Sequence, residues 1–211
     1  MISSGRRGFT FVEGLIVLSM TAVLAAIAVP TLLRAQARAK HSEVITNLKS
    51  LHASLTAQPV KPASIHADGF ALPRGNRYSY HAGTPCTSWE DRSTRWPIGH
   101  ETDDCIGVDT YARPFLPELF TPVEVAAAQW DLDGTVNGMT TGPGFFGSEL
   151  SWDYIVAAAG DRDYDLSDVA DTWWITSAEG LLFAPCQNSP VPFSVVAGEP
   201  FLVHDDVECD F

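Results

Sequence analysis

The side chains able to do chemistry in this chain fall into a few groups, and their spacing limits what each group can do. Gly160-Asp161-Arg162-Asp163-Tyr164-Asp165-Leu166-Ser167-Asp168 sets carboxylates at alternating positions in a turn. Hard cations take several carboxylate and carbonyl oxygens at about 2.3–2.6 Å, which alternate aspartates in a tight loop supply. Asp161, Asp163, Asp165 and Asp168 are therefore candidate calcium ligands, with an acidic β-turn holding no ion as the other reading. A full EF-hand is absent, because the glycine at the sharp turn and the distant glutamate are missing. Asp131-Leu132-Asp133-Gly134 opens a second turn of similar character. No cofactor beyond calcium is implied. His41, His52, His66, His81, His100 and His204 show no ligand spacing, and His100-Glu101 lacks the second histidine of a metalloprotease motif. Nor is there a nucleophile elbow or a P-loop. A convergent triad needs no motif, but nothing here points to an enzyme.

The cysteines are Cys86, Cys105, Cys186 and Cys209. None forms a Cys-x-x-Cys pair, which weakens zinc and thioredoxin-type readings. An export-like N-terminus makes disulfides the natural reading. Four cysteines allow three connectivities. Cys86–Cys105 and Cys186–Cys209 are expected, because neighbours in sequence close short loops. Each bridge is worth about 3 kcal/mol in the chain-entropy picture. Four reduced, buried thiols are the other reading.

The last group is a single carboxylate. Gly14 to Leu33 is an uncharged run of 20 residues, and Glu13 stands at its start. That length spans a bilayer as a helix. An ordinary signal peptide would have Arg6 and Arg7 as its charged region and Ala26-Ile27-Ala28 as its cleavage site. Arg6-Arg7-Gly8-Phe9 also looks like part of a twin-arginine signal. A plain membrane anchor explains the apolar run equally well. Neither gives Glu13 a task, and an ionisable group in a membrane segment is expensive and functional by default.

A short basic leader, Gly8, Phe9, Thr10, Glu13 four residues after Phe9, and then the apolar run together resemble the N-terminus of type IV prepilins and the related pseudopilins. Ala25-Ala26-Ile27-Ala28-Val29-Pro30 is similar to a stretch of that family. The resemblance implies cleavage between Gly8 and Phe9 by a prepilin peptidase, methylation of the Phe9 amine, and an assembly role for Glu13. A carboxylate of one subunit would neutralise the freed amine of another, where an unpaired charge would be costly. Gly14 stands where the family often has leucine, and Ser19-Met20-Thr21 is more polar than usual. The implied partners are other pilin subunits, the peptidase, an inner-membrane assembly platform, and lipid before assembly. The implied location is the inner membrane with a periplasmic head, then a filament.

The apolar run flows on into a second pattern. Leu33, Ala37, Val44, Leu48, Leu51 and Leu55 recur near the helical period with a polar opposite face. Pro30 is expected to bend or locally unwind this long helix, and Gln58-Pro59 to stop it. Arg34, Arg38 and Lys40 sit just past the span, where they meet headgroups, acidic neighbours or water. The expected division is leader 1–8, assembly helix 9–33, amphipathic continuation 34–58 and head 59–211. In the head, Tyr78 and Tyr80 alternate in a short strand, and Cys86 to Pro117 reads as a long loop. Thr121-Pro122-Val123-Glu124 carries helix-start signals, with a short helix to about Trp130. Strand-like runs follow at Trp152–Ala159, Asp171–Ser177, Leu181–Ala184, Phe193–Ala197 and Phe201–His204. In a strand, Trp173 and Trp174 alternate, which places one outside or under a loop. The fold class is α+β, a long helix on an antiparallel sheet, matching the ladle-like architecture that the resemblance implies.

From Leu51 onward there are seven Arg and Lys against 24 Asp and Glu, a formal −17. Such a surface excludes nucleic-acid binding through the head, since phosphate contacts need a basic face. The expected function is that of a pilus-like filament subunit supporting adhesion or motility. The alternatives are a type II secretion pseudopilin and a soluble secreted binding protein.

Overall fold

The computed structural model describes residues 10–66, 70–131, 136–162, 165–167, 169–183 and 192–206. The chain divides into two compact units, Met1–Ala39 and Lys40–Phe211. One helix, α1 (Phe11–Thr56), begins in the first unit and ends in the second.

In the first unit, Phe11–Val29 has a mean hydropathy of 2.3, and none of it is buried within the chain. Phe11 is 84% exposed and Leu18 70%. Water does not tolerate a continuous apolar surface of that kind on a monomer, whereas a bilayer or a bundle of like helices does. The polar interruptions are satisfied locally. Ser19 Oγ donates to the Ile16 carbonyl (2.8 Å), and Thr21 Oγ1 reaches the carbonyls of Val17 and Leu18. That is how hydroxyls are made tolerable where water is absent. The helix is unbroken through Pro30, so the expected local unwinding does not occur. A proline removes a single backbone donor, and the turns on either side keep theirs.

The second unit is layered. A seven-stranded sheet has the order β10 (Phe201–His204), β7 (Asp171–Thr176), β6 (Trp152–Gly160), β1 (Ser79–His81), β3 (Cys105–Ile106) and β2 (Trp89–Glu90). β5 (Gly144–Gly147) shares β6's edge with β1. All neighbours are antiparallel except β2 and β3. A second sheet joins β4 (Ala127–Trp130), β8 (Gly180–Phe183) and β9 (Phe193–Val195). The α+β expectation holds, with β6, β7 and β10 at or within one residue of where the pattern put them.

The central strands of the large sheet are buried on both faces, and their alternation shows why. Tyr154, Val156, Ala158, Trp173 and Ile175 face the helix stripe of Val44, Leu48, Leu51 and Leu55, all four of which are fully buried. Ile155, Ala157 and Trp174 face the small sheet's Trp130, Leu182 and Val195. Neither tryptophan is outside: Trp173 is 8% exposed and Trp174 0%. A strand covered on both faces reads as a continuous apolar run, not as an alternation. Gly160 is needed where it stands, because a Cβ there would come within 2.6 Å of the Tyr78 ring.

The segment from Thr121 to Trp130 corrects the sequence reading. No helix forms there. Val123 N–H donates to Thr172 Oγ1 (3.1 Å), Val125 N–H to the Thr141 carbonyl (3.3 Å) and Ala126 N–H to the Phe183 carbonyl (3.1 Å). β4 then pairs with β8 from Ala127↔Phe183 to Trp130↔Gly180. A helix of about nine residues is marginal on its own, and a ladder that also buries Trp130 wins. The segment expected as one long loop after Cys86 likewise contains β2 and β3. Two-residue strands leave no periodicity to read.

Candidate functional site

At the start of α1, Thr10 and Glu13 form a reciprocal cap. Glu13 N–H donates to Thr10 Oγ1 (3.2 Å), while Thr10 N–H (2.8 Å) and its hydroxyl (2.7 Å) donate to Glu13 Oε2. This is a capping box, which satisfies donors that a helix start otherwise leaves open. A carboxylate there also complements the positive end of the helix dipole. The Thr-x-x-Glu spacing is itself a cap signal in the sequence, masked there by the apolar run that follows it. Glu13 is exposed, and the apolar span follows it directly. Gly8 and Phe9 lie outside the described residues.

In the head, polar side chains fasten the helix to the sheet beside the apolar stripe. Asn47 Nδ2 donates to Tyr80 Oη (2.8 Å). Arg77 N–H donates to Glu43 Oε1 (3.1 Å). His52 Nδ1 and the Tyr154 hydroxyl share a hydrogen bond. Burial, and secondarily Asp171, push the Tyr78 hydroxyl well above its usual range. Burial raises Tyr80 and Tyr154 as well. Burial lowers His52 against the opposing pull of Glu199. These groups therefore stay neutral: the Asn47–Tyr80 and His52–Tyr154 hydrogen bonds tie the helix to the sheet, while the Tyr78 hydroxyl donates to Asp171 on β7.

The Cys86–Cys105 disulfide is present, with Cα atoms 5.9 Å apart. Cys186 and Cys209 lie outside the described residues. Behind the bridge, burial pushes His81 down to about 4, against the pull of Asp104. His81 Nε2 shares a 2.8 Å hydrogen bond with Ser79 Oγ. The loop's own carboxylates order its backbone. Asp104 accepts from Thr87 N–H and Ser88 N–H. Asp109 accepts from Gly75 N–H (2.7 Å) and pairs with Arg74 Nε (2.7 Å). Burial opposes ionisation of Asp103, yet Ser88, His100 N–H and His66 hold it below the ordinary carboxylate range.

Of the candidate calcium ligands, Asp161 is 5% exposed. Asp165 is exposed and turns Oδ1 onto Ser167 N–H (3.0 Å) and Ser167 Oγ (2.6 Å). Asp163 and Asp168 lie outside the described residues. In the second acidic turn, Asp131 adopts a positive φ of 129°, and residues 132–135 lie outside the described residues.

Among the described residues, an exposed apolar helix span, opened by one carboxylate and continued by a stripe that packs on the sheet, suits burial in a bilayer or among like helices. The comparisons agree with it. A family model described as type IV pilin PilA matches residues 35–169. The chain is also 31% identical over 219 residues to the type IV major pilin protein PilA of Myxococcus xanthus (strain DK1622), covering 97% of this chain and 94% of that protein. The chain belongs to the type IV pilin family. The pilin is thus a structural subunit that assembles with other pilin subunits into a pilus. Its N-terminal apolar helix fits membrane anchorage first and the pilus afterwards. The family match runs from the amphipathic part of α1 through β6 and the Asp-rich turn.

Proposed function

We propose that this pilin is made as a precursor, cut between Gly8 and Phe9, methylated at the new N-terminus, and polymerised as a main filament subunit. The exposed span Phe11–Val29, opened by Glu13, carries this reading. Before assembly the span lies in the inner membrane with the head in the periplasm. In the filament it packs among the spans of neighbours, and Glu13 offers its carboxylate to the amine of an adjacent subunit. Near-full-length likeness to a major pilin supports the main-subunit assignment. The filament then serves adhesion or motility. The calcium loop at Asp161–Asp168 belongs to the same proposal and rests on the sequence pattern.

Intact-mass and N-terminal peptide spectrometry on the protein from its own host tests the maturation. The expected chain begins at Phe9 and is heavier by one methyl group. A chain beginning at Val29 would mean ordinary export and would end the proposal, since Glu13 would be discarded with the leader.

A further inference from the structure

Three side chains from three elements meet at one end of the head. They are His41 on α1, Asp171 at the first position of β7, and Asp205 just after β10. One ligand atom from each lies within 4.8 Å of the other two. Asp171 is fully buried and Asp205 is 6% exposed. The Tyr78 hydroxyl (2.6 Å) and Trp173 Nε1–H (3.1 Å) both donate to Asp171 Oδ2. Asp171 Oδ1 is buried and, among the described residues, has no hydrogen-bond partner. His41 Nε2 is 3.4 Å from Asp171 Oδ2, without a hydrogen bond of its own. Its ring is set edge-on to Trp173, with centroids 5.0 Å apart.

We propose that His41, Asp171 and Asp205 form a binding site for a divalent cation of the zinc class. The donor chemistry selects the class. One imidazole nitrogen with two carboxylates suits zinc and its first-row neighbours, whereas calcium takes six to eight oxygens. Tetrahedral bonds of about 2.1 Å place ligand atoms roughly 3.4 Å apart, so side-chain shifts of about an ångström close the site. The surroundings already resemble the outer layer of a metal centre, where hydrogen bonds fix each ligand's orientation. Tyr78 and Trp173 do this for Asp171. Arg162 Nη1 does it for Asp205, with bonds of 2.6 and 2.5 Å to its two oxygens. An ionised carboxylate has about four lone-pair sites, so Asp205 can hold Arg162 and a cation together. Asp171 has the stronger need. It is fully buried, and its Oδ1, without a hydrogen-bond partner among the described residues, is a position that a bound cation would satisfy. The bound cation would pin the first turn of the head's helix segment to β7 and β10, independently of maturation and assembly.

The experiment uses the full chain in detergent, stripped with EDTA and titrated with zinc, manganese or calcium chloride while thermal unfolding is followed. Zinc at a hundredfold excess over its Kd is expected to raise Tm by about 5 °C or more. The rise should vanish in His41→Gln and Asp205→Asn and persist in Asp165→Asn. No shift with any of the three ions overturns the proposal. So does a zinc shift that survives His41→Gln. Cobalt(II) added to the wild-type chain reads the site without a variant. X-ray absorption showing an imidazole nitrogen in its coordination supports the site, and an oxygen-only shell overturns it.

Discussion

At the scale of single residues, the head uses ionisable groups in states that acid would change. His81 titrates near 4 in the fold because burial disfavours its cation, against 6.5 for the ordinary side chain. The unfolded chain therefore binds the extra proton first. His81 costs nothing above pH 6.5, and stability is lost as pH falls from 6.5 to 4, by up to about 3 kcal/mol. Asp103 acts lower down. Its pKa lies below the ordinary 3.8 of an aspartate, so its contribution is present above that value and lost as pH falls through the folded one. Tryptophan-fluorescence unfolding of the full chain in detergent is expected to show a denaturant midpoint that drops between pH 7 and pH 4. His81→Gln should flatten most of that drop between 6.5 and 4. A midpoint independent of pH in that window would show that His81 is protonated at no cost. Neither residue was marked by the sequence, because a lone histidine's environment is made of residues far along the chain.

At the scale of elements, α1 is one helix whose two parts meet different surroundings. Leu48 is fully buried under the sheet, while Leu24 in the span is 65% exposed. Leu48→Ala removes packed methyl groups and leaves a cavity, which costs about 3 kcal/mol of head stability. Leu24→Ala should leave the head's unfolding within about 0.5 kcal/mol of wild type. Denaturant melts of the two variants, followed by the tryptophans of the sheet, check the contrast. The apolar stripe from Val44 to Leu55 was legible because a helix records its buried face at a fixed spacing of neighbouring residues. β6, β7 and β10 were legible as bounded apolar runs. β4 was misread as a helix because its capping signals are local and its true partners are not. Its ladder with Phe183 exists only after more than 50 intervening residues have folded back.

At the scale of the whole molecule, the pilin is a head that completes its own core and a span that does not. Lipid or other copies suit that exposed surface, which fits membrane anchorage first and the pilus afterwards. Glu13→Ala removes the carboxylate at the head of that surface. Expression of this variant in the native host is expected to leave the chain in the membrane fraction and to reduce sheared surface filaments at least tenfold. Electron microscopy and immunoblots of the shear fraction measure it. Normal filament yield would reduce Glu13 to its capping bond with Thr10.

The sequence by itself determined the apolar span, the carboxylate at its mouth, the amphipathic stripe and the order of the main strands. These are properties of consecutive residues, and periodicity or spacing displays them without any partner. Tertiary structure alone decided the sheet order, the burial of both Trp173 and Trp174, the β4 ladder, and the meeting of His41, Asp171 and Asp205. Each joins residues far apart in the chain, as in the Tyr78–Asp171 hydrogen bond across 93 positions. The free energy of such contacts depends on which loops close and which faces are covered. No local window of the sequence carries that information.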